Sequence, residues 1–328
     1  MTGATPALSI VLVNYRSWEL LDRAVASIQQ QGRQLIVVDN ASGDDHGAVF
    51  RSAHPDVQLI ESPVNLGFAG GCNLGAEHAA ADWVLFLNPD TEDPGNAIDR
   101  MIMAAEREHV AIATCRQVDA RGRGLKVFDA FPRLSNLLPW QRAIGRLLSR
   151  EDAIDARGCR DAWRPVEWVS GSVLLIRRSV LEELGGWSDA YFMYSEDVDL
   201  CRRAADAGHE RGFAGEIEML HVHGGSSRSS PAISALTRTE AILSRHIYVS
   251  RRFPPKRRMP GHALLFCGRT LPVLITGLIG HLLPVGSLRV RALMARRLLR
   301  AYAMTLRGGR WRSLAAAERD AGRGAPSS

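Results

Sequence analysis

Short apolar runs alternate with amphipathic stretches along the first hundred residues. The runs are nearly all apolar and rich in β-branched residues, which predicts buried strands at Leu8–Val13, Leu35–Asp39, Val57–Glu61 and Trp83–Leu87. Helical spacing predicts helices at Trp18–Gln31, Ala69–Ala81 and Asn96–Glu108. Strand–helix–strand repetition predicts an α/β fold, a Rossmann-like and mostly parallel central sheet with helices on both faces.

The pattern changes twice further along the chain. Residues 119–164 are rich in arginine and weakly periodic, which predicts loops and short helices over the site. Regular elements then resume, and we expect them at Val166–Ile176, Ser179–Leu184, Ser195–Gly208 and Glu216–His223. After Ser230 the composition shifts to arginine, leucine and proline. We therefore expect a catalytic domain at residues 1–230 and a helical C-terminal region at residues 231–328.

Polar side chains follow each predicted strand of the first half. Ligands of open α/β sheets bind beyond the carboxyl ends of the strands, so these residues should share one edge. They are Tyr15, Asp39, Asn40, Asn65, Gly67, Asn73, Asn88 and Asp90. We expect the chemistry of the protein to lie at this edge.

The run Ser195-Glu196-Asp197-Val198-Asp199 contains candidate catalytic carboxylates. Ser195 suits a helix N-cap, which would place Glu196 and Asp197 in the first turn, where the helix dipole favours the ionised form. An ionised carboxylate at a cleft can act as a general base. The alternative is that these residues only cap the helix, and that Asp199 pairs with Arg203 one turn later.

Two further groups could bind a metal ion. In Asn88-Pro89-Asp90, a strand-end carboxylate and an oxygen ligand two residues away suit Mg²⁺ or Mn²⁺, although the same residues also make a good turn. His221 and His223 would face the same side of a strand, which suits a metal or a diphosphate. The alternative is one buried and one surface histidine.

The sequence lacks the signatures of several nucleotide-binding classes. The glycine-rich stretch Gly67–Gly75 is not GxGxxG, and no P-loop occurs, which weighs against dinucleotide dehydrogenases and P-loop NTPases. These glycines could admit a phosphate or simply allow tight helix packing. Five scattered cysteines without a CxxC pair fit a reducing cytoplasm.

The C-terminal region is basic and contains an apolar segment. The formal charge of the chain is +6, and after Arg228 basic residues far outnumber acidic ones. The apolar stretch Ala263–Val285 contains Arg269 and His281, and we expect helix breaks at Pro272, Gly277 and Pro284. This favours association with an anionic membrane surface over a clean membrane span. A packing domain or homo-oligomer interface is the alternative, and the basic runs lack the aromatic residues expected for nucleic acid.

The motifs in their order resemble the family-2 glycosyltransferases with the GT-A fold. The resemblance is greatest to the rhamnosyltransferase-like branch of bacterial cell-envelope polysaccharide synthesis and spans about residues 8–228. The matching stretches are Val13-Asn14-Tyr15, Val38–Ser42, Asn65–Asn73, Leu87–Asp90, Trp168–Ser172, Glu196–Arg203 and His221–Ser226.

The resemblance implies roles for individual residues. The nucleotide-sugar donor would contact Tyr15, Asp39, Asn40, Asn65, Gly67, Asn73, Asn88 and Asp90. Asp90 would be the metal-binding aspartate, helped by His221 or His223, while Asn88 replaces the first aspartate of the family motif. Asp197 would be the catalytic base, with Glu196 orienting it or contacting the acceptor. The sugar and acceptor pocket would contain Trp168, Ser170, Gly171, Asp199 and Arg203.

The resemblance also implies an activity. A divalent cation, Mg²⁺ or Mn²⁺, would assist inverting transfer of a sugar, dTDP-rhamnose being the favoured donor, to a hydroxyl of a saccharide or a polyprenyl-diphosphate-linked acceptor. The enzyme would be cytoplasmic and peripheral on the inner face of the cell membrane. Two alternatives are a nucleotidyltransferase and a catalytically silent nucleotide-sugar-binding scaffold.

Overall fold

A computed structural model describes residues 7–28, 32–141, 159–160, 162–222, 230–282 and 286–323. The chain divides into two compact units. The described residues of the first unit lie in 7–131, 159–188 and 197–222. Those of the second unit lie in 132–141, 189–196 and 230–323.

The first half of the first unit alternates strands and helices. Its elements are β1 (Leu8–Asn14), α1 (Trp18–Ile28), β2 (Arg33–Asp39), α2 (His46–Ala53), β3 (Gln58–Glu61), α3 (Gly67–Ala76), β4 (Trp83–Leu87), β5 (Thr91–Glu92), α4 (Ala97–Arg107) and β6 (Ile112–Val118). The second half has shorter strands. Its elements are β7 (Phe128–Asp129), β8 (Arg164–Pro165), β9 (Trp168–Val169), β10 (Val173–Arg177), α5 (Arg178–Glu183), α6 (Glu196–Asp206) and β11 (Arg211–His221).

One mixed sheet organises the first unit. Its strand order is β3-β2-β1-β4-β10-β6-β11-β5, with β8 on β11, and β7 and β9 form a separate pair. β3, β2, β1 and β4 run parallel, as β6 and β11 do, while β10 is antiparallel to both of its neighbours. The predicted mostly parallel GT-A architecture is confirmed.

The hydrophobic pattern explains how helices pack on this sheet. In α1 the residues Leu21, Val25 and Ile28 are fully buried at helical spacing, and every residue of β1 and β4 is buried. Removing such side chains from water stabilises the fold by about 1.5–3 kcal/mol each. This core fixes the strand ends from which the site residues emerge.

Several predicted boundaries change in the structure. α3 ends at Ala76 rather than Ala81, because the amides of Ala80 and Ala81 donate to the Ser9 hydroxyl instead of continuing the helix. The expected strand Val166–Ile176 splits into β9 and β10, which belong to different sheets. The last strand begins earlier, at Arg211, and has a bulge between Ala214 and Glu218.

The second unit is helical over most of its described residues. Its elements are α7 (Pro231–Arg252), α8 (Pro255–Leu265), a π-helical turn (Phe266–Thr270), α9 (Leu271–Leu282), α10 (Gly286–Gly308) and α11 (Leu314–Arg323). Ser230 caps α7, because its hydroxyl accepts from the amide of Ile233. A C-terminal helical region is therefore confirmed.

The expected helix breaks at Pro272 and Gly277 are wrong. The chain stays helical because the π-helical turn lets the Leu271 amide donate to the Phe266 carbonyl just before Pro272, which has no amide hydrogen. Gly277 packs against the backbone of Arg291, where a Cβ would lie 2.8 Å from the carbonyl oxygen. The run Pro255–His281 is long and apolar enough to cross a membrane by length and composition, and Pro284 lies outside the described residues.

Candidate active site at the carboxyl edge of the sheet

A hydrogen-bonded turn joins the ends of β1 and β2. The Asp39 carboxylate accepts from the Asn14 side-chain amide at 3.1 Å and from the hydroxyl and backbone amide of Ser42. Arg16 also binds Ser42, and its guanidinium lies 5.4 Å from the centre of the half-buried Tyr15 ring. Tyr15 and Asp39, which the sequence predicts to contact the nucleoside, therefore lie at one organised junction of two strand ends.

Asn40 and Asn65 shape the start of α3. The Asn40 side chain accepts from the Leu66 amide at 2.7 Å and donates to the Gly67 carbonyl at 2.9 Å. Asn65 accepts from the amide of Gly67, whose φ of 76° is costly for any residue with a side chain. These contacts hold the loop that leads from β3 to the glycine-rich helix.

Asp90 and His221 lie side by side where β4 and β11 end. Asp90 Oδ1 is 3.2 Å from Nε2 of the buried His221, whose Nδ1 is 2.7 Å from Oε1 of Gln117. Asn88 is half-exposed, and within the described part of the chain its side-chain amide makes no hydrogen bond. Asp90, His221 and Asn88 are therefore candidate metal ligands.

Gln117 connects this pair to the loop before β10. The buried Ser172 hydroxyl donates to Gln117 Oε1 at 2.9 Å and lies 3.0 Å from the Ser170 hydroxyl. The backbone carbonyl of Ser172 accepts from the backbone amide of Asn88 at 2.9 Å. The segment 170–172 is thereby fixed to Gln117 and Asn88.

Asp197 is bound to the middle of that same segment. Its carboxylate accepts from the Gly171 amide at 3.1 Å and from the Val198 amide at 2.8 Å. Burial raises the pKa of the Asp197 carboxyl, and the two backbone hydrogen bonds only partly oppose the rise. A raised pKa brings a carboxyl group closer to the range where a general base works best at neutral pH.

A side chain at Gly171 would be crowded. A Cβ at this position would lie 3.1 Å from the Phe68 ring, 3.3 Å from the Trp187 ring and 3.6 Å from Cβ of Asp197. Trp187 packs edge-on against Phe68 and Phe86. Glycine therefore allows the 170–172 segment to approach both this aromatic cluster and the carboxylate of Asp197.

Other predicted site residues are engaged in structural contacts. Arg203 binds the fully buried Asp199 at 3.0 Å and donates to the carbonyls of Leu184 and Gly186. The Asn73 amide exchanges two hydrogen bonds of 2.8 Å with the backbone of Trp187. These three polar residues fix the segment 184–187 beside Gly171.

The remaining predicted residues lie as follows. Trp168 donates from its indole to the Ala130 carbonyl, and Glu196 is buried at the start of α6. His223 lies outside the described residues. Among those that are described, no group of three His, Cys, Asp or Glu side chains suits a metal ion.

The sequence reasoning missed Gln117, Ser42 and Ser172, although the structure places each in the polar network. Gln117 is one residue from the end of β6, a strand that the apolar pattern did not reveal. Gln117 lies near the carboxyl end of β6, which runs parallel to β11. The rule that ligands bind at carboxyl strand ends would have indicated Gln117 if the strand had been predicted.

A mostly parallel sheet, a reversed β10 and carboxylates at its edge define a glycosyltransferase of the GT-A class. The Glycosyl transferase family 2 model matches residues 9–168, and the Glycosyl transferase family group 2 model matches residues 152–306. The two models together span residues 9–306, and the chain is a glycosyltransferase similar to family 2.

Individual proteins show the same likeness. The chain is 29% identical over 252 residues to an N-acetylglucosaminyl-diphospho-decaprenol L-rhamnosyltransferase of Mycobacterium tuberculosis, covering 70% of this chain and 80% of the relative. It is 27% identical over 151 residues to the rhamnosyltransferase WbbL of Escherichia coli, covering 45% and 55%. A solved mannosyltransferase from Pyrobaculum calidifontis with GDP-Man and Mn²⁺ has a TM-score of 0.53 and 19% identity, covering 92% and 81%.

Proposed function

We propose that the chain transfers a sugar, with inversion, from a nucleotide-diphosphate donor to a hydroxyl of a lipid-linked saccharide. The position of Asp197 is the main support for this proposal. Its carboxylate binds Gly171 in the segment whose next residue, Ser172, is fixed to the residues around Asp90. A single displacement requires a base for the acceptor hydroxyl and a site for the leaving diphosphate. The hydrogen-bond network joins the two positions that we propose for them.

The proposed chemistry follows from these positions. Asp197 takes the proton of the acceptor hydroxyl while the oxygen of that hydroxyl attacks C1 of the donor sugar. The bond between C1 and the diphosphate oxygen breaks, and its electron pair leaves with the nucleoside diphosphate. One displacement inverts the configuration at C1. Glu196 is proposed to orient the base or contact the acceptor.

We propose that Asp90, His221 and Asn88 bind Mg²⁺ or Mn²⁺ together with donor phosphates. A carboxylate, an imidazole and an amide are oxygen and nitrogen donors that suit such an ion, and donor oxygens can complete its coordination. When bound, the cation would supply positive charge that stabilises the leaving diphosphate. The Mn²⁺ in the similar Pyrobaculum structure supports this proposal.

The substrates are proposed from chemistry and from the relatives. Tyr15 and Asn65 lie on the loops after β1 and β3, and Asp39 is the last residue of β2, where a nucleoside would bind. The names of the two relatives favour rhamnose, for which we propose dTDP-rhamnose as donor. The mycobacterial relative also favours a sugar on a polyprenyl diphosphate as acceptor. We propose that the chain meets this acceptor at the cytoplasmic face of the membrane.

Direct assay tests this function. The purified full chain is incubated with Mn²⁺, N-acetylglucosaminyl-diphospho-polyprenol and one of dTDP-rhamnose, UDP-sugars or GDP-sugars. We expect one donor to yield free nucleoside diphosphate and an equal amount of glycosylated lipid, with the anomeric configuration opposite to that of the donor. Retention of configuration, or transfer of a nucleotidyl group, would contradict the proposal.

We also propose that the second unit binds an anionic membrane surface. On α9 the apolar side chains of Ile275 and Leu278 are 54% and 67% exposed, in a helix whose other face packs on α10 through Gly277. Exposed basic residues precede this helix at Lys256, Arg257 and Arg258. Apolar side chains flanked by cations match the interface of a bilayer that contains acidic lipids.

The double substitution Ile275→Ser and Leu278→Ser should weaken membrane binding. The lost apolar area should lower affinity for vesicles with 30% phosphatidylglycerol by roughly tenfold or more. Co-sedimentation measures this effect. Val49→Ser is the matched control, because Val49 is 68% exposed but lies on α2 of the first unit. Equal binding by the double variant and the wild type would contradict the proposed surface.

A further inference from the structure

A cavity of about 150 Å³ lies in the second unit, where α10 ends and α11 begins. Buried Ala301 and Leu314 form part of its lining, and exposed Arg310 and Arg312 contribute its charge. Within the described residues of the chain, neither of these guanidinium groups makes a hydrogen bond or an ion pair. A cavity with two guanidinium groups that lack a protein partner suits an anion.

The loop that carries the two arginines is held by the residues between and after them. Trp311 stacks on His246, with the ring centroids 4.0 Å apart. Ser313 is buried, and its hydroxyl accepts from the Ala316 amide in the first turn of α11 at 3.1 Å. Because these neighbours are anchored, an anion could bind both arginines without first ordering the backbone of the loop.

The charge beside the cavity is positive because the carboxylates of α11 are already paired. Glu318 binds Arg297 and Arg300, and Asp320 binds Arg319. The helix dipoles oppose each other, since the negative end of α10 and the positive end of α11 both border the cavity. The two arginines of the loop therefore determine the ligand, and a guanidinium group prefers an oxyanion such as phosphate, which can accept two parallel hydrogen bonds.

Apolar side chains are exposed next to this cavity. On the last turns of α10, Met304 and Leu306 are 38% and 86% exposed, and Met304 also lines the cavity. The cavity volume of about 150 Å³ equals that of roughly five water molecules, which accommodates a phosphate group but not a nucleoside. A phosphate attached to hydrocarbon chains fits both the charge of the cavity and the apolar surface beside it.

We propose that Arg310 and Arg312 bind the headgroup phosphate of an acidic phospholipid, whose acyl chains lie beside Met304 and Leu306. This inference deepens the proposed membrane binding of the second unit and rests on it. The two surfaces contribute differently. The exposed apolar side chains of α9 supply affinity for any bilayer interface, whereas the cavity recognises one lipid phosphate.

Titration of a soluble lipid into the full chain tests the site. Dihexanoyl phosphatidic acid, kept below its micelle concentration, is titrated calorimetrically at about 0.15 M salt, which limits long-range attraction. Arg310→Gln and Arg312→Gln each remove one exposed guanidinium group, so folding should persist. Arg307→Gln is the matched control, because Arg307 is an exposed arginine of α10 that does not line the cavity.

We expect one lipid to bind per chain. Each cavity variant should bind it roughly 10–100-fold more weakly than wild type, the usual effect of losing a hydrogen bond between charged groups. Arg307→Gln should stay within about twofold of wild type because salt screens its charge. An equal loss in all three variants would show a diffuse charge effect and overturn the inference. Wild-type binding of inorganic phosphate as tight as that of the lipid would overturn it as well.

Two further comparisons identify the source of the phosphate and separate this inference from the membrane proposal. Farnesyl diphosphate imitates a polyprenyl acceptor, and tighter binding of it than of phosphatidic acid at Arg310 and Arg312 would contradict the phospholipid assignment. The Ile275→Ser and Leu278→Ser double variant should keep the soluble lipid while losing vesicles. If wild type binds the soluble lipid but no anionic vesicles, the membrane proposal fails and the phosphate site stands. Vesicle binding without soluble-lipid binding overturns the site alone.

Discussion

Asp197→Asn should reduce sugar transfer by about 10²–10⁴-fold, the usual contribution of a positioned general base. The amide has the same shape and keeps an oxygen that can accept from the Gly171 or Val198 amide, so folding should persist. What it loses is the ability to take the acceptor proton. Transfer from the active nucleotide sugar, measured under single-turnover conditions, reports the change.

Two controls separate catalysis from binding and folding. Nucleoside diphosphate affinity, measured calorimetrically, should stay within about twofold of wild type, because the base acts on the acceptor rather than on the nucleotide. Asp206→Asn changes an exposed carboxylate on the same helix, which pairs with Arg202, and should leave transfer unchanged. Full turnover by Asp197→Asn would remove this residue from the mechanism.

The pH profile provides a further check on Asp197. The base must be deprotonated, and burial raises the pKa of its carboxyl above the usual value of 3.8. Activity should therefore decline, as the pH falls, at a higher pH than an ordinary aspartate would cause. An acid limb of kcat/KM near pH 4 would show that a differently placed carboxylate is the base.

The strand-end rule predicted most of the site because it depends on local pattern. Asp39 and Asp90 follow apolar runs, and parallel pairing brings such ends to one edge of the sheet. The pair of Asp199 and Arg203 was among the alternatives and is present in the structure, whereas the contact of Asn73 with Trp187 was not predicted. Whether an amide meets a ligand or the backbone of Trp187 depends on packing between segments more than a hundred residues apart.

Gln117 was missed for a physical reason. Its strand contains Arg116-Gln117, and two adjacent polar residues do not resemble a buried run. The structure buries Arg116 because it pairs with Glu218 on the neighbouring strand β11. The strand contains a charged residue that is buried only because of an ion pair with a distant residue. The hydrophobic pattern alone therefore cannot predict this strand.

The second unit contains a cluster that no local pattern could predict. The rings of His246, His262 and Trp311 pack mutually, with centroids 5.2 Å apart for His246 and His262, 4.0 Å for His246 and Trp311, and 5.3 Å for His262 and Trp311. Nδ1 of His246 lies 2.9 Å from Nδ1 of His262, and Nε2 of His246 lies 2.9 Å from the hydroxyl of Tyr302. His262 also contacts the Ser250 hydroxyl. The contacts join α7, α8, α10 and the segment before α11.

The cluster requires neutral histidines. Burial, reinforced by the charge of His262, lowers the pKa of His246 to about 3, and burial together with Arg258 lowers the pKa of His262. Burial also raises the pKa of Tyr302 to about 12, to which nearby Cys267 contributes. In the contact between the two Nδ1 atoms one must donate and the other accept, so protonation of the accepting ring breaks it.

Acidification should therefore destabilise the protein. An unfolded histidine titrates near 6.5, so the stabilising effect is complete above that pH and is lost as the pH falls toward the lowered folded-state pKa. At pH 5 the loss from His246 alone is about 2 kcal/mol. For a chain of 328 residues, whose entropy of unfolding is about 0.7 kcal/mol/K, that is a drop of roughly 3 °C in the unfolding midpoint relative to pH 7.5.

His246→Phe should remove this part of the pH dependence. Phenylalanine keeps an aromatic ring against Trp311 but loses two hydrogen bonds, so the variant should be less stable at pH 7.5 by about 1–3 kcal/mol. Its further loss on going to pH 5 should be about 2 kcal/mol smaller than that of wild type. Scanning calorimetry at both pH values measures the two effects.

Tyr302→Phe separates hydrogen bonding from titration. It removes the hydroxyl that contacts His246 Nε2 and Thr270 but leaves both histidines in place. This variant should be less stable at every pH and should keep the acid sensitivity of wild type. If His246→Phe keeps the full acid sensitivity as well, the buried imidazole is not its source, and carboxylates elsewhere in the chain must account for it.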